Sequence, residues 1–319
     1  MIDKSNTTDH PAAGQCRLYC VTAVLLACLT AAPASADTHV RPPEDIGVIG
    51  QVEYISAHHD ETLLDIARAQ DIGQNEILVA NPDVDRWLPG KGTVITLPRR
   101  HVLPDAKREG LILNLPEMRL YHFPRPQKGK TPTVTTHPVS IGRMDWDTPM
   151  GTTRIVAKKI DPTWTPPQSL REEALADGEV LPNVVPAGPD NPLGRYAMRL
   201  GVPGYLIHST NKPWGVGMRV THGCVRMYPE DIEQLFDKVP VGTPVQIINQ
   251  PVKLGWLADT LYLEIHPPME DAGDSPVIDM QTVLDRIAEF VGDRPVHLNG
   301  RAIRLAVETR HGMPVAITK

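Results

Sequence analysis

From residue 110 the chain alternates. "GLILNLPEMRLYHFP" (110–124) sets apolar side chains on a period of two around a turn-like Leu115-Pro116, and "TTHPVSIG" and "GTTRIVAKKI" repeat the pattern. Successive side chains of a strand point to opposite faces, so this spacing belongs to strands and not to helices. Further strands are predicted at "YLIHST", ending at His208, and at "PVQII". Proline reinforces the reading: 32 residues in 319, about twice ordinary usage, favour turns and extended segments over a helical bundle. Residues 161–195 are too proline-rich for a regular sheet and read as a long excursion between strands, of the kind that lines or covers a site. One helix interrupts the β pattern at "YPEDIEQLFDKV": Pro229 falls in its first turn, Glu230 and Asp231 follow, and Ile232, Leu235, Phe236 and Val239 are in helical register. Residues 108–249 are therefore expected to form a mainly β domain, a sandwich or barrel with a few helices.

The first 36 residues carry Lys4 and Arg17, then the apolar run "LYCVTAVLLACLTAA", then "PASAD", which offers a small-residue cleavage site after Ala36. This is the pattern of an export signal, and the run is shorter than the ~20 residues of a spanning helix. A lipoprotein-type site at "LLAC", ending at Cys28, fits less well. No later stretch qualifies as a membrane span, so the mature chain is expected to be soluble outside the cytoplasm. Cleavage would remove Cys16, Cys20 and Cys28 and leave Cys224 as the one thiol. An exported chain normally uses cysteines in pairs, so a solitary one is intermolecular, buried or reactive. The net charge of −6, with mixed signs and no dense basic stripe, argues against nucleic-acid binding.

After a proline- and charge-rich stretch read as a linker (37–51), residues 52–98 predict strand, helix, helix, strand: "VEYIS", "TLLDIARAQ" with Leu63, Ile66 and Ala67 on one face, "QNEILVANP" stopped at Asn81-Pro82, and "GTVITLP". This βααβ unit resembles a LysM domain in "ETLLDIA", "NP" and "LPGKGTVITLP", and departs from it at the first turn, where "HHDET" lacks the usual glycine. The resemblance implies binding to N-acetylglucosamine-containing glycans such as peptidoglycan. Residues 251–319 read as a small α+β C-terminal unit of unknown role: a strand at "LYLEIH", an amphipathic helix around Val283, Leu284, Ile287 and Phe290, and strands near the end.

The chemistry concentrates in "VTHGCVRM" (220–227). A thiol attacks a carbonyl carbon only as thiolate, and its ordinary pKa near ~8.5 calls for an adjacent base. His222 lies two residues away, on the same side as Cys224 if the segment is extended; His208, at the end of the preceding strand, is the other candidate. Gly223 clears space beside the sulfur so that backbone N–H groups of Gly223 and Cys224 can converge on an oxyanion, and Arg226 supplies a fixed charge suited to a carboxylate. These are the parts for acyl transfer. A zinc site of His208, His222 and Cys224 is the chemical rival, without support from paired-cysteine or HExxH spacing. A buried, inert thiol is the third reading. A papain-like arrangement is disfavoured because there the cysteine precedes its histidine.

"YLIHSTNKPWGVGMRVTHGCVRMYPEDIEQLFDKVPVGTPVQII" resembles the signature of YkuD-type L,D-transpeptidases: a histidine, a glycine-containing loop, then [Ser/Thr]-His-Gly-Cys-x-Arg. The likeness extends through "LPDAKREGLILNLPEMRLYHFP", "DPTWTPP" and "VVPAGPDNPLG", and the layout is similar to that of Gram-negative periplasmic members with LysM, catalytic and C-terminal segments. It implies Cys224 as nucleophile and His208 as general base oriented through the Ser209 carbonyl. Thr221 and His222 would shape the pocket, Gly223 and Cys224 donate to the oxyanion, and Arg226 hold substrate or loop. Trp164, within "PTWTPP", reads equally as a substrate contact on a flap or as packing. The implied donor is a peptidoglycan tetrapeptide stem, with D-alanine released. The acceptor is a diaminopimelate amine (a 3→3 crosslink), an outer-membrane lipoprotein lysine, or water in a carboxypeptidase reaction. No metal or organic cofactor is implied. A different class of function, an inert wall-binding scaffold, is opposed by the presence of both nucleophile and base.

Overall fold

The computed structural model describes residues 37–143, 146–269 and 277–318; the predicted export segment lies outside them. The chain begins with β1 (Asp37–Val40) and β2 (Val48–Ile49), followed by β3 (Glu53–Ser56), α1 (Leu63–Ala69), α2 (Gln74–Ala80) and β4 (Val94–Leu97). After β5 (His101–Val102) come β6 (Gly110–Asn114), β7 (Arg119–Phe123), β8 (Thr133–Gly142) and β9 (Gly151–Ile160), then α3 (Gln168–Ala176). The chain continues through β10 (Tyr196–Leu200), β11 (Leu206–His208), β12 (Arg219–Thr221), β13 (Val225–Met227), α4 (Pro229–Lys238) and β14 (Pro244–Ile248). It ends with β15 (Val252–Leu257), β16 (Thr260–Ile265), α5 (Met280–Val291), α6 (Gly300–Thr309) and β17 (Val315–Ala316).

The central sheet runs β8-β13-β11-β10-β9-β14-β6-β7, and β7 pairs again with β8, so it closes on itself, the barrel of the two forms expected. Its inward side chains, among them Ile155, Met198, Ile207, Val225 and Met227, pack with Ile232, Leu235 and Phe236 of α4. Helix α4 starts at Pro229, whose missing N–H costs nothing at a helix start, and carries acids in its first turn and Lys238 in its last.

The βααβ unit has the predicted element order, with β3 and β4 paired antiparallel. A capping box starts α1: Thr62 Oγ1 accepts from the Asp65 N–H at 3.0 Å, and Asp65 Oδ2 from the Thr62 N–H at 2.9 Å. Asn81 both stops α2 and ties it to β4, accepting from the Thr96 N–H at 2.7 Å and donating to the Thr96 and Ile77 carbonyls. In the C-terminal unit α5 and α6 cover a β15-β16-β17 sheet with a core of their own.

One expectation needs correction, and two helices add to the reading. Residues 37–51 are not free linker: β1 pairs with β8 and β2 with β5, which satisfies backbone groups that a linker would leave to water. The excursion 161–195 contains α3, hidden by the prolines around it. The C-terminus adds a second amphipathic helix, α6, before β17, the strand expected near the end. The amphipathic helix expected around Val283 is α5, which buries Val283 and Ile287 while Leu284 and Phe290 are 37% and 43% exposed.

Candidate active site

Strands β11 and β13 run side by side, parallel, with Ile207 opposite Val225 and His208 opposite Arg226. Ile207 and Val225 face the core, each contributing roughly 2 kcal/mol by burial. Because side chains alternate along a strand, that choice sends His208, Arg226 and Cys224 to the other face of the sheet. Cys224, one residue before β13, then lies diagonally from His208 of β11, although the two are sixteen positions apart in sequence.

The turn before Cys224 is held by side-chain hydroxyls. Thr221 Oγ1 donates to the Cys224 carbonyl at 2.6 Å, and Thr148 Oγ1 donates to the Gly223 carbonyl at 2.9 Å. In a planar trans peptide the N–H opposes the C=O, so tying the Gly223 carbonyl to buried Thr148 turns the Cys224 N–H away from it. Gly223 has φ +90°, and a Cβ there would sit 2.6 Å from the Tyr205 ring and 3.0 Å from the Asp147 carbonyl, so no other residue fits.

His208 is buried, and its Nδ1 lies 2.5 Å from the Ser209 carbonyl. A carbonyl only accepts, so Nδ1 carries the proton and Nε2 keeps a lone pair. Burial pushes the imidazole down to about 4, helped by the Arg226 charge and opposed by carbonyl contacts at Ser209 and Leu193. At neutral pH the ring is a neutral acceptor. Burial also raises the Cys224 thiol above its ordinary value, against the Leu206 backbone and Arg226, both of which favour thiolate. The S–H donates to the Gly204 carbonyl at 3.7 Å. The resting pair is thus thiol and neutral imidazole, with Arg226, itself shifted down by burial, biasing the proton off both. Behind this face, Ser209 donates its N–H to the Tyr196 carbonyl, and Gly194 packs where a Cβ would strike Ser209 Cβ at 2.6 Å.

His222 departs from expectation. The chain bends at His222 and Gly223, so period-two reasoning fails there. Its Nε2 meets Glu173 Oε2 of α3 at 3.0 Å, and its ring stands edge-on to Trp146 at 5.1 Å. Glu173 also pairs with Arg143. His222 therefore joins the excursion to the Cys224 turn. Trp164 forms a backbone bridge with Val185 that closes the base of the same excursion. Asn191, fully buried, donates to the Pro162, Val185 and Pro186 carbonyls and accepts from the Leu193 N–H. Sequence reasoning missed Glu173, Thr148 and Asn191. Only Glu173 had a readable signal, since "PQSLREEALADG" opens on Pro167 and stops at Gly178 like a helix.

Among the described residues the one trio of metal-capable side chains within 4.8 Å is Glu117, Glu264 and His266, not His208, His222 and Cys224. The trio already surrounds an ammonium: Lys253 Nζ lies 2.7 Å from both Glu117 and Glu264.

A thiol, a neutral imidazole fixed by a carbonyl, and an outward N–H beside the sulfur have the make-up of a cysteine acyl-transfer centre. Residues 108–247 match the family described as "YkuD: L,D-transpeptidase catalytic domain". Three Escherichia coli K12 proteins are similar over nearly their whole length. "Probable L,D-transpeptidase YbiS" is 42% identical over 291 residues, covering 89% of this chain and 93% of that one. "Probable L,D-transpeptidase ErfK/SrfK" is 39% identical over 308 residues (94% and 96%), and "Probable L,D-transpeptidase YcfS" 37% over 295 (91% and 91%). The chain belongs to the L,D-transpeptidase family. No helix among the described residues is long and apolar enough to cross a membrane.

Proposed function

We propose that Cys224 and His208 carry out acyl transfer on peptidoglycan stems in the periplasm. The observation that carries this reading is the His208 Nδ1–Ser209 carbonyl contact, which leaves Nε2 as the acceptor on the face shared with Cys224. His208 Nε2 takes the thiol proton as Sγ bonds to the carbonyl carbon at the L-centre of the third stem residue. Charge collects on the carbonyl oxygen, where the Cys224 N–H, and with it that of Gly223, donates. The tetrahedral species collapses by breaking the C–N bond to D-alanine, whose amine takes the proton back from the imidazolium. An acceptor amine then attacks the thioester carbon, gives its proton to Nε2, and the thiolate leaves and is reprotonated. All proton movement uses one imidazole, so neither half-reaction calls on a metal or organic cofactor. Thr221 supports the turn, Arg226 lowers the proton affinity of thiol and imidazole, and His222 links the turn to the excursion carrying Trp164.

Because His208 sits near 4, turnover is expected to fall in acid around pH 4, and burial of Cys224 moves the alkaline limb upward from the ordinary thiol range. The βααβ unit, through its LysM resemblance, is assigned to glycan strands. Export through residues 1–36 brings the enzyme to this substrate. Purified Cys224→Ala protein should keep sacculus binding and lose D-alanine release from tetrapeptide muropeptides; unchanged release sinks the assignment. Muropeptide mass spectrometry of sacculi from cells lacking and overproducing the protein identifies the acceptor: 3→3 dimers, lipoprotein-linked stems, or tripeptides from transfer to water.

A further inference from the structure

Seen from Cys224, the βααβ unit touches the chain on both sides. Before the cysteine, segment 209–221 joins His208 to the Cys224 turn, and α2 seats its first turn on the middle of that segment. The opening N–H groups of a helix have no partner within it. Here Gln74 N–H donates to the Val216 carbonyl at 3.0 Å and Asn75 N–H to the Gly217 carbonyl at 3.2 Å. The backbones are in van der Waals contact: a Cβ on Gly217, whose φ is +86°, would fall 2.4 Å from Gly73 Cα and from Gln74 N. Val216 is fully buried there. The far side of the same segment meets the site. The Gly215 carbonyl accepts from Ser140 Oγ at 2.6 Å, and a Cβ at Gly215 would lie 3.8 Å from Arg226 Nη1. Arg226 stands opposite both Ser140 and His208 in register.

After the cysteine the same unit holds α4. Tyr228 Oη donates to the Ile72 carbonyl at 3.0 Å, Arg68 pairs with Glu230 at 2.5 Å, and the Arg68 guanidinium lies 4.4 Å above the Tyr228 ring centre. Asp71 faces Asp231 in the buried seam between them. A module tethered only to bring substrate near would show no such bracket around one turn.

We infer that the βααβ unit is a positioning element of the active site: through the α2 N–H groups and the Gly73–Gly217 contact it fixes the segment that sets Arg226 and the Cys224 turn. This rests on Cys224 being the reacting thiol, and it makes Gly217 and the Gln74 N–H positioning groups although neither touches substrate. It also accounts for Gly73 and Gly217, since backbone atoms meet there.

Gln74 is the first residue of α2, and Gly73 before it has φ −69° and ψ 147°, a conformation that accepts a following proline. Gln74→Pro therefore deletes one N–H while keeping the helix start, and Gln74→Ala removes the side chain but keeps the N–H. Gly217→Ala is compared with Gly129→Ala, a second left-handed glycine (φ +77°) with open space around it. Each full-length variant is tested well below its melting temperature. The readouts are the rate of iodoacetamide alkylation of Cys224 at pH 8, and kcat and KM for D-alanine release from a soluble tetrapeptide muropeptide. Gln74→Pro and Gly217→Ala should lower kcat at least about tenfold, with KM little changed, and shift the alkylation rate; the two control variants should match the parent. Equal alkylation and kcat in Gln74→Pro and Gln74→Ala, with Gly217→Ala matching Gly129→Ala, overturn the inference. If no protein, parent included, releases D-alanine but alkylation still separates the pairs, the positioning role stands and the substrate assignment fails.

Discussion

Two buried polar regions of this molecule treat charge in opposite ways. At the junction of the catalytic and C-terminal units, Lys253 lies between Glu117 and Glu264 and also donates to the Val102 carbonyl at 2.7 Å. Tyr121 Oη donates to Glu117, the Val102 N–H donates to Glu264 at 2.6 Å, and His266 closes the group on Glu264. Burial alone would raise the Glu264 carboxyl, but the Lys253 ammonium and His266 hold it below the usual range. On the His208 face a charged Arg226 sits beside a neutral thiol and a neutral imidazole, and its Nε has no hydrogen-bond partner. One region pairs its charges with each other; the other leaves its charge directed at a neutral thiol and a neutral imidazole.

The contrast breaks most visibly at His208. His208→Gln should lower D-alanine release by about 10²–10⁴-fold while leaving iodoacetamide alkylation of Cys224 within a few-fold of the parent, because the resting thiol is already protonated without the histidine. A collapse of both would mean a preformed thiolate–imidazolium pair and erase the distinction drawn here. Lys253→Met is the counterpart. Removing one partner from a buried ion network leaves two carboxylates uncompensated, an expected loss of about 3–5 kcal/mol in denaturant unfolding, with kcat per folded molecule unchanged.

The two regions also differ in how far sequence could reveal them. That His208, Gly223, Cys224 and Arg226 come together was legible because two neighbouring strands fix their spacing. The mainly β character was legible from alternation, which encodes which face is buried; closure of the sheet was not. The Lys253 network was not, since Glu117 lies in the β6–β7 turn, far in sequence from Lys253 on β15 and Glu264 on β16, and a buried lysine has no local pattern. His222 misled for a local reason: one glycine at φ +90° ends the extended geometry on which its reading depended. Helices α3 and α6 were missed because proline flanks and a short amphipathic stretch imitate loop and strand.

A third buried group falls between these extremes. Asp231 is pushed up to about 7, chiefly by burial, and Asp71 is raised well above its ordinary value by burial and by Asp231. His137, held down to about 4 by burial, offers little compensating charge at 3.3 Å. A carboxyl whose folded pKa exceeds its unfolded value binds a proton more tightly when folded. Its stabilisation is complete below about pH 4 and is lost as pH rises towards 7. Asp231→Asn retains a polar group that does not titrate. Its stability relative to the parent should grow between pH 4 and pH 7, by at most ~4 kcal/mol, and level off above. A constant difference across that range would place this seam with the fully paired Lys253 network.

The smallest effect tests the unpaired region itself. Arg226 lowers the proton affinity of His208 and of Cys224, so Arg226→Gln should raise both. Two displacements in the pH profiles follow. The acid limb of turnover moves up from about 4 towards the ordinary imidazole value, because a His208 freed from the neighbouring cation protonates more readily. The alkylation profile moves to higher pH, slowing the reaction at pH 8 by about fivefold, the size of one partly screened charge at short range. Arg226 stands across the sheet from His208 and directly beyond Val225 from Cys224, so a single substitution should move both limbs together. Movement of only the thiol limb would mean that His208 owes its depressed value to burial alone, and that the shared cation acts on the thiol and not on the imidazole.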